Sequence, residues 1–500
     1  MATTQNEQSA LAQVQVEELG DLASLLKKEF KPRTDGAKEA VESAVRTLAE
    51  QALADTRLLK DDVVQSIEAL IQAIDKKLGA QLDRILHHPD FQQLEGAWRG
   101  LHYLVNNTET DETLKIKVLN ISKKDLGKTF SKFKGTAWDQ SPLFKQIYEA
   151  EFGQLGGVPF GALVGDYQFD HSPPDLEIMK GMAQIAAAAH APFISSPKPS
   201  LFQMESWQEL SNPRDLTKIF QTPEYAAWRS FRASDDSRYV GLAMPRFLAR
   251  LPYGEKTNPC DGLAYEETVV GGAHDQYTWA NSAYAMATNI GRSFKLYGWC
   301  TSIRGVESGG AVEGLPTHTF STDDGGVDTK CPTEIAISDR REGELAKAGL
   351  MPLVHRKHSD FAAFIGAQSV HQPAEYDDPA ASANAALGAC LPYIFGTSRF
   401  AHYLKCIVRD KVGRSDWNTA TAVQRHLQNW ILNYVDGDPE GSSEVVKATH
   451  PLAAAEVVVT ENKSKPGYYG AQFFLRPHYQ LEGLNASLRL VSELPSQRAN

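Results

Sequence analysis

Between residues 153 and 196 the chain alternates two kinds of apolar pattern, and this alternation limits the fold more than any other feature. The segment GQLGGVPFGALVGDYQF, residues 153–169, is apolar and punctuated by glycines, as a buried strand flanked by turns is expected to be. The alanine-rich run from Met179 to Ala191 reads as a helix, and APFISS at 191–196 reads as another buried strand. Strand and helix in alternation suggest an α/β core. Composition agrees: 500 residues, 42% hydrophobic and 23% charged, make an ordinary soluble globular chain, long enough for several folding units and stable without a metal or disulfides.

The flanks of this core differ from it and from each other. From Glu17, the residues Leu19, Leu22, Leu25, Leu26 and Phe30 fall on one face of a helix that Pro32 ends. A second helical stretch after Gly36 carries Ala37, Val41, Ala44, Val45 and Leu48 in register. A third, from about Lys60 to Leu86, is the clearest, with Val63, Ile67, Leu70, Ile74, Leu78 and Ile85 in one stripe and Asp61 and Asp62 at its positive end. Short breaks between these helices allow the arm to move relative to the body. His87-His88-Pro89-Asp90 stops the third helix, and another starts at Phe91. Leu114 to Ile121 then alternates apolar and charged residues as a strand does.

Beyond the core, residues 198–275 are dense in prolines, charges and aromatics and read as loops with short elements. Trp279 to Gly298 has helical spacing, Thr333 to Ile337 that of a short strand, and Asp339 to Ala348 that of a charged helix. A long helical region spans Ala380 to Val435. The end changes in kind: Ala455–Thr460, Tyr468–His478 and Ala486–Ser492 read as three strands of a closing β-meander, with Pro466-Gly467 at the first turn.

Lys plus Arg number 51 against 62 Asp plus Glu, a net charge of -11, so wholesale binding to nucleic acid or insertion at an anionic membrane is not expected. The five cysteines (Cys260, Cys300, Cys331, Cys390, Cys406) are odd in number and widely separated, and read as buried thiols of a reducing compartment. The N-terminus has no export signal, and no apolar run approaches the roughly 18 to 20 residues of a membrane helix. The reading is a cytoplasmic protein.

Several motifs invite a catalytic reading and each has a plainer one. Gly153, Gly156, Gly157, Gly161 and Gly165 form neither GxGxxG nor GxxxxGK[ST], so tight strand packing is expected there. His87, His88 and Asp90 lack an HxxxH partner and read as a helix-terminal cap. Ser308 followed by His318 and Asp323 or Asp324 offers a hydrolase-like set without GxSxG, so a tight glycine turn is the stronger reading. Asp323, Asp324 and Asp328 lack the twelfth-position Glu of a calcium loop. No catalytic, cofactor or metal residues are assigned, and this points to an assembly role.

Eight blocks in order carry a family resemblance: ILHHPDFQQLEGAWRGLHYLV (85–105), FGQLGGVPFGALVGDYQF (152–169), AHAPFISS (189–196), RFLARLPYG (246–254), RGVESGGAVEGLPTHTF (304–320), PTEIAISDRREGELAKAGLMPL (332–353), LPYIFGTSRFAHYLK (391–405) and YYGAQFFLRPHYQLEGLNASLRLVSELP (468–495). They resemble the large subunit of the type VI secretion contractile sheath, the VipB/TssC family. The resemblance implies a structural, non-enzymatic protein that pairs with a small sheath subunit of the VipA/TssB type. It further implies hexameric rings stacked into a helical sheath around an Hcp tube, a baseplate, contraction that propels the tube into a target cell, and disassembly by a ClpV-type AAA+ ATPase.

On that basis residues 1–60 are expected as an outer, ATPase-accessible arm, 61–200 and 276–450 as the two parts of the sheath core, 201–275 as an irregular insertion, and 451–500 as the meander. The resemblance places ATPase recognition on Leu19, Leu22, Leu25, Leu26 and Phe30. By analogy with other contractile sheaths, the charged helix with Asp339, Arg340, Arg341, Glu342, Glu344 and Lys347 faces the inner tube. Strand pairing between subunits is expected at Val457, Val459, Phe473, Leu475, Leu488 and Leu490, because an open sheet edge accepts a partner strand through directional main-chain hydrogen bonds.

Overall fold

The computed structural model describes residues 63–478, apart from 213–214, 271–272, 323–324, 412–418 and 462–468, together with Gly36, Glu39 and Ser43. The chain divides into two compact units, one drawn from Met1–Gln92 and Leu251–Tyr277, the other from Gln93–Arg250 and Thr278–Asn500.

In the smaller unit, helix α1 (Val63–Leu86) ends in Arg84, a cation at the negative end of its dipole. Polar contacts tie residues 251–277 to the end of this helix. The Tyr265 hydroxyl donates to Asp83 Oδ1 at 2.6 Å, and His87 Nε2 lies 3.1 Å from Glu267 Oε1. Gly79 lets the two segments come close: a Cβ there would lie 3.3 Å from the Tyr265 ring, a tight contact.

The larger unit is built on a six-stranded sheet in the order β1-β2-β3-β9-β10-β6. Its strands are β1 (Leu163–Phe169), β2 (Phe193–Pro197), β3 (Val240–Met244), β6 (Ala311–Val312), β9 (Met351–His355) and β10 (Ala362–Phe364). The first four in spatial order run parallel and the last two join antiparallel, so the sheet is mixed. Every residue of β2 and β3 is buried, as expected of central parallel strands covered on both faces. Three two-stranded pairs complete the strands: β4 (Phe247–Leu248) with β5 (Trp279–Ala280), β7 (Thr319–Ser321) with β8 (Val327–Thr329), and β11 (Leu452–Glu461) with β12 (Tyr469–Pro477).

Each face of the sheet has its own core. On one side α4 (Pro173–Ala189) buries Leu176, Met179, Ala183 and Ile185 with Phe169 and Phe193, and α3 (Lys123–Lys132) packs on α4 where Gly181 lets the Phe130 ring approach. On the other side α5 (Ser282–Tyr297) buries Ala283, Met286 and Ile290 against Ile194, Ala243, Met351 and Phe364. Asn281 caps α5 by accepting the Ala283 N–H at 2.9 Å, and Gly298 ends it at φ 78°. Helix α2 (Pro89–Asn106) meets α5 at Gly100, where a Cβ would collide with the Tyr284 ring. A third core holds Trp299, Phe400, Leu427, Ile431 and Val457 between α7 (Leu391–Lys411), α8 (Ala420–Leu432) and β11.

The mixed α+β architecture agrees with the sequence reading, and the differences have physical causes. The strand expected over 153–169 begins only at Leu163, because Lys145–Gly153 is a π-helix and Gly157 doubles back to within reach of the Glu151 carbonyl, where a Cβ would sit 2.4 Å from the oxygen. Thr333 to Ile337 is not a strand: pairing with the neighbouring chain stops after the Leu248 N–H to Pro332 O and Glu334 N–H to Arg246 O bonds (2.7 and 3.0 Å). The helical region 380–435 is three helices, Pro379–Leu387, α7 and α8, since Pro392 has no N–H and fits only a first turn. Leu114 to Ile121 is not a strand either, because among the described residues no main-chain carbonyl accepts an N–H of 115–121.

The stretch 201–275 is shared between the units. Leu201, Phe202, Tyr225, Trp228 and Phe231 lie deep in the first core, whereas 251–277 belongs to the smaller unit. Of the cysteines, only Cys390 is buried; the other four are half-buried, which corrects the expectation of buried thiols. Among the described residues, no helix is long and apolar enough to cross a membrane.

Candidate functional site

The C-terminal hairpin presents two edges that are not alike. Along β11 the Val457 N–H donates to Gln428 Oε1 at 2.7 Å, the Val459 N–H to Gln424 Oε1 at 3.3 Å, and Gln428 Nε2 donates to the Ala455 carbonyl at 3.0 Å. Two glutamines one turn apart on α8 thus close the edge of β11 that faces away from β12. In an antiparallel pair, residues opposite each other point their main-chain groups the same way, both inward or both outward. Since Ala455, Val457 and Val459 point outward, their partners Leu475, Phe473 and Ala471 do so as well, on the far edge of β12. Among the described residues, no main-chain hydrogen bond is made by that edge of β12 outside the hairpin.

The side chains of the expected pairing residues divide accordingly. Val457 and Val459 are buried against α8, and Phe473 and Leu475 pack on the same core. Phe474, on the opposite face, is 56% exposed. Leu488 and Leu490 lie outside the described residues, as does the third strand of the expected meander. So do Leu19, Leu22, Leu25, Leu26 and Phe30.

The charged helix α6 (Asp339–Lys347) forms where expected. Leu345 anchors it in the first core, and Glu344 holds Arg340 at 3.0 Å and Arg341 at 2.6 Å. Glu344 is therefore occupied within its own helix, and Asp339, Arg340 and Lys347 are the exposed charges.

Among the described residues, the hydrolase-like pair Ser308 and His318 shares no hydrogen bond. Ser308 sits in the turn bridged by Arg304 and Gly309, and His318 lies 6.2 Å ring to ring from Phe320. Asp323 and Asp324 lie outside the described residues. His88 accepts the Asp90 N–H at 3.3 Å, the end-of-helix role read for it. Among the described residues, no group of three His, Cys, Asp or Glu side chains is placed to hold a metal ion.

One site was not found from the sequence. A groove of about 790 Å³ opens on the larger unit beside β1, with α2 and α5 below it and α7 along one side. Its rim carries large apolar side chains in water: Trp98 is 65% exposed, Val118 67%, Leu94 56%, Leu119 53% and Val158 52%. Isolated exposed apolar residues need no explanation, but a contiguous set of this size marks an interaction surface. His402 lines the groove; burial pushes its imidazole down to about 4, although Nε2–H donates to the Ala189 carbonyl at 2.8 Å, so the ring is neutral. The signal available in the sequence was the alternation at Leu114 to Ile121, which forms one wall.

Comparison with known proteins gives consistent results. Residues 68–371 match the family described as EvpB/VC_A0108, tail sheath N-terminal domain, and residues 380–494 the one described as EvpB/VC_A0108, tail sheath gpW/gp25-like domain. The Type VI secretion system sheath protein TssC1 of Pseudomonas aeruginosa is 68% identical over 498 residues, 100% of each chain. Among solved structures, the baseplate of the anti-feeding prophage has a TM-score of 0.35 at 13% identity, over 78% of this chain and 85% of that one. The contracted sheath complex of the extracellular contractile injection system PVC has a TM-score of 0.32 at 10% identity, over 61% and 66%. Structural likeness this slight carries no argument.

Proposed function

The chain belongs to the VipB/TssC family, the large subunit of the type VI secretion contractile sheath, and from that premise we propose how it assembles. It is a structural protein. It pairs in the cytoplasm with a small sheath subunit of the VipA/TssB type, polymerises as hexameric rings around an Hcp tube on a baseplate, and contracts.

The observation that supports this reading is the asymmetry of the hairpin. Gln424 and Gln428 occupy one edge, and among the described residues the β12 edge is left for a strand from a neighbouring subunit to join. Such a joint is directional along the strand yet tolerates a change of angle about it, as a sheath that contracts requires. The division of the chain into arm, core parts, insertion and meander belongs to this proposal. So do a tube-facing α6 with Asp339, Glu342 and Glu344, and an ATPase-binding face at Leu19, Leu22, Leu25, Leu26 and Phe30.

Coexpression with the small subunit and the tube protein, viewed by negative stain, tests the reading. Ala471→Pro removes an outward N–H from β12 and none from the β11 ladder, so the hairpin should persist while tubules are lost. Normal tubules from this variant would sink the strand-edge assignment. Leu22→Glu with Leu26→Glu should leave tubules intact and abolish ATPase pull-down; unchanged pull-down would remove the N-terminal assignment.

A further inference from the structure

We propose that Cys331 is a site of oxidative modification: with His355 as its base, its sulfur attacks a peroxide, and a low-molecular-weight thiol then caps it as a mixed disulfide.

The way the two residues meet is the first support. His355 closes β9 and pairs with Ala362 across the β9–β10 hairpin. The Arg356 N–H donates to Phe361 O at 2.9 Å and the Ser359 hydroxyl to Arg356 O at 2.7 Å, so the hairpin turn holds the Ser359 carbonyl in place. That carbonyl lies 2.8 Å from His355 Nε2 and receives its N–H, since a carbonyl oxygen has no proton to give. The tautomer is thereby set, and Nδ1 is the acceptor of the neutral ring. Cys331 Sγ lies 3.4 Å from that Nδ1. The segment after it fixes it there, because Pro332 O accepts the Leu248 N–H at 2.7 Å and Thr333 is fully buried. Nucleophile, base and a group that orients the base therefore stand in a row, the arrangement that activates a nucleophile.

The surroundings of the sulfur are the second support. The Thr333 hydroxyl has Cys331 Sγ at 3.2 Å and Ile335 O at 3.0 Å, and can donate to either. Burial by itself would raise the Cys331 thiol, but hydrogen bonds from His355 and from the hydroxyl and N–H of Thr333 outweigh it and bring the thiol below its ordinary 9.0. Burial would likewise lower the His355 imidazole, yet its bonds to Cys331 and to the Ser359 carbonyl hold it above its ordinary 6.5. Both shifts favour thiolate beside imidazolium, the reactive form of such a pair. Cys300 is the opposite case: burial pushes its thiol up to about 11, and the charge of Arg399 offsets this only in part. Cys331 is half-buried, so it is not sealed from small reagents as a core thiol is.

The chemistry balances with a peroxide as oxidant. The thiolate attacks one peroxide oxygen, an S–O bond forms and the O–O bond breaks. The departing hydroxide takes the proton from His355 Nδ1 and leaves as water. The sulfur is oxidised to a sulfenic acid and the peroxide is reduced. A low-molecular-weight thiol then attacks that sulfur: an S–S bond forms, the S–O bond breaks, and the hydroxyl leaves as a second water with the proton of the incoming thiol.

Iodoacetamide labelling of the full chain across pH, read peptide by peptide, tests the base, and hydrogen peroxide followed by dimedone or glutathione tests the product. Near neutral pH Cys331 should alkylate at least about tenfold faster than Cys300, since the thiolate is the nucleophile. The midpoint of its rate profile should fall below 9.0. His355→Gln should slow Cys331 at least about fivefold near neutral pH and leave it unchanged in strong alkali, where the thiolate forms unaided. Dimedone should mark Cys331 after peroxide, glutathione in its place should add there as a disulfide, and Cys331→Ser should remove both marks. Three results overturn the proposal. A wild-type midpoint at or above 9.0, which no variant is needed to measure, reduces the contact to a structural hydrogen bond. Fast labelling that His355→Gln leaves untouched removes the base. Absence of both the dimedone and the glutathione mark removes the modification.

Discussion

Gly309→Ala should cost the larger unit more than about 4 kcal/mol, the range reserved for strained or overpacked positions. Gly309 has φ 94°, a conformation that L side chains rarely adopt, and a Cβ built there would lie 2.0 Å from the Ser302 carbonyl oxygen and 2.8 Å from its carbon. The first effect alone is on the order of 1–3 kcal/mol. The second meets backbone, which cannot rotate away. Relief would require the 302–310 turn to move, and this turn carries the bonds from Gly305 N–H to Phe364 O and from Phe364 N–H to Gly310 O, at 2.8 and 2.9 Å, that hold β10. Urea unfolding measures the loss, and a midpoint within error of wild type would contradict the argument. Ser308→Ala, one residue away, should change stability by less than about 1 kcal/mol and leave tubules unaffected, because its hydroxyl holds nothing in place.

Glu95→Ala should destabilise by about 3–5 kcal/mol, the cost of removing one partner from a buried ionic group. Glu95 Oε1 lies 2.7 Å from both Arg250 Nε and Arg99 Nε, and Oε2 accepts the Thr278 hydroxyl at 2.9 Å. The side chains of Arg250 and Glu95 are 5% and 10% exposed, so water cannot replace the lost carboxylate. The pair also makes a pH prediction. Burial by itself would raise the Glu95 pKa, but the hydrogen bonds and charge of Arg250, with Arg99 and Thr278, outweigh it and hold the carboxyl below its usual 4.5. A depressed folded value means that the stabilisation is complete above the unfolded value and is lost as pH falls from about 4.5 through the folded pKa. Urea unfolding near neutrality and in that acid window should show wild type losing more stability than Glu95→Gln. Equal losses would show that Glu95 is not a source of the acid sensitivity.

Much of the architecture was legible because it rests on local pattern. The run read as Met179 to Ala191 is the α4 helix, APFISS is β2, and Trp279 to Gly298 contains α5, since apolar periodicity and a Gly C-cap report burial directly. The two strands at 455–478 were found for the same reason. The errors fall where pattern and partner separate. Thr333 to Ile337 has β-type composition but only a few bonds' worth of neighbour, and the glycines at 153–157 serve a close return of the chain onto a π-helix, which no periodicity announces.

The candidate sites divide along the same line. Sequence located the hairpin, yet nothing in it could say that Gln424 and Gln428, some 30 residues before Val457 and Val459, would close one edge and leave the other. Nor could it gather Trp98, Val118 and Val158 around one groove. By itself the sequence determined the kinds of element, their order and, through eight blocks of resemblance, the family. Only the tertiary structure decided which strand edges are satisfied, because a main-chain hydrogen bond depends on where two distant segments meet, and side-chain periodicity records burial without naming the partner.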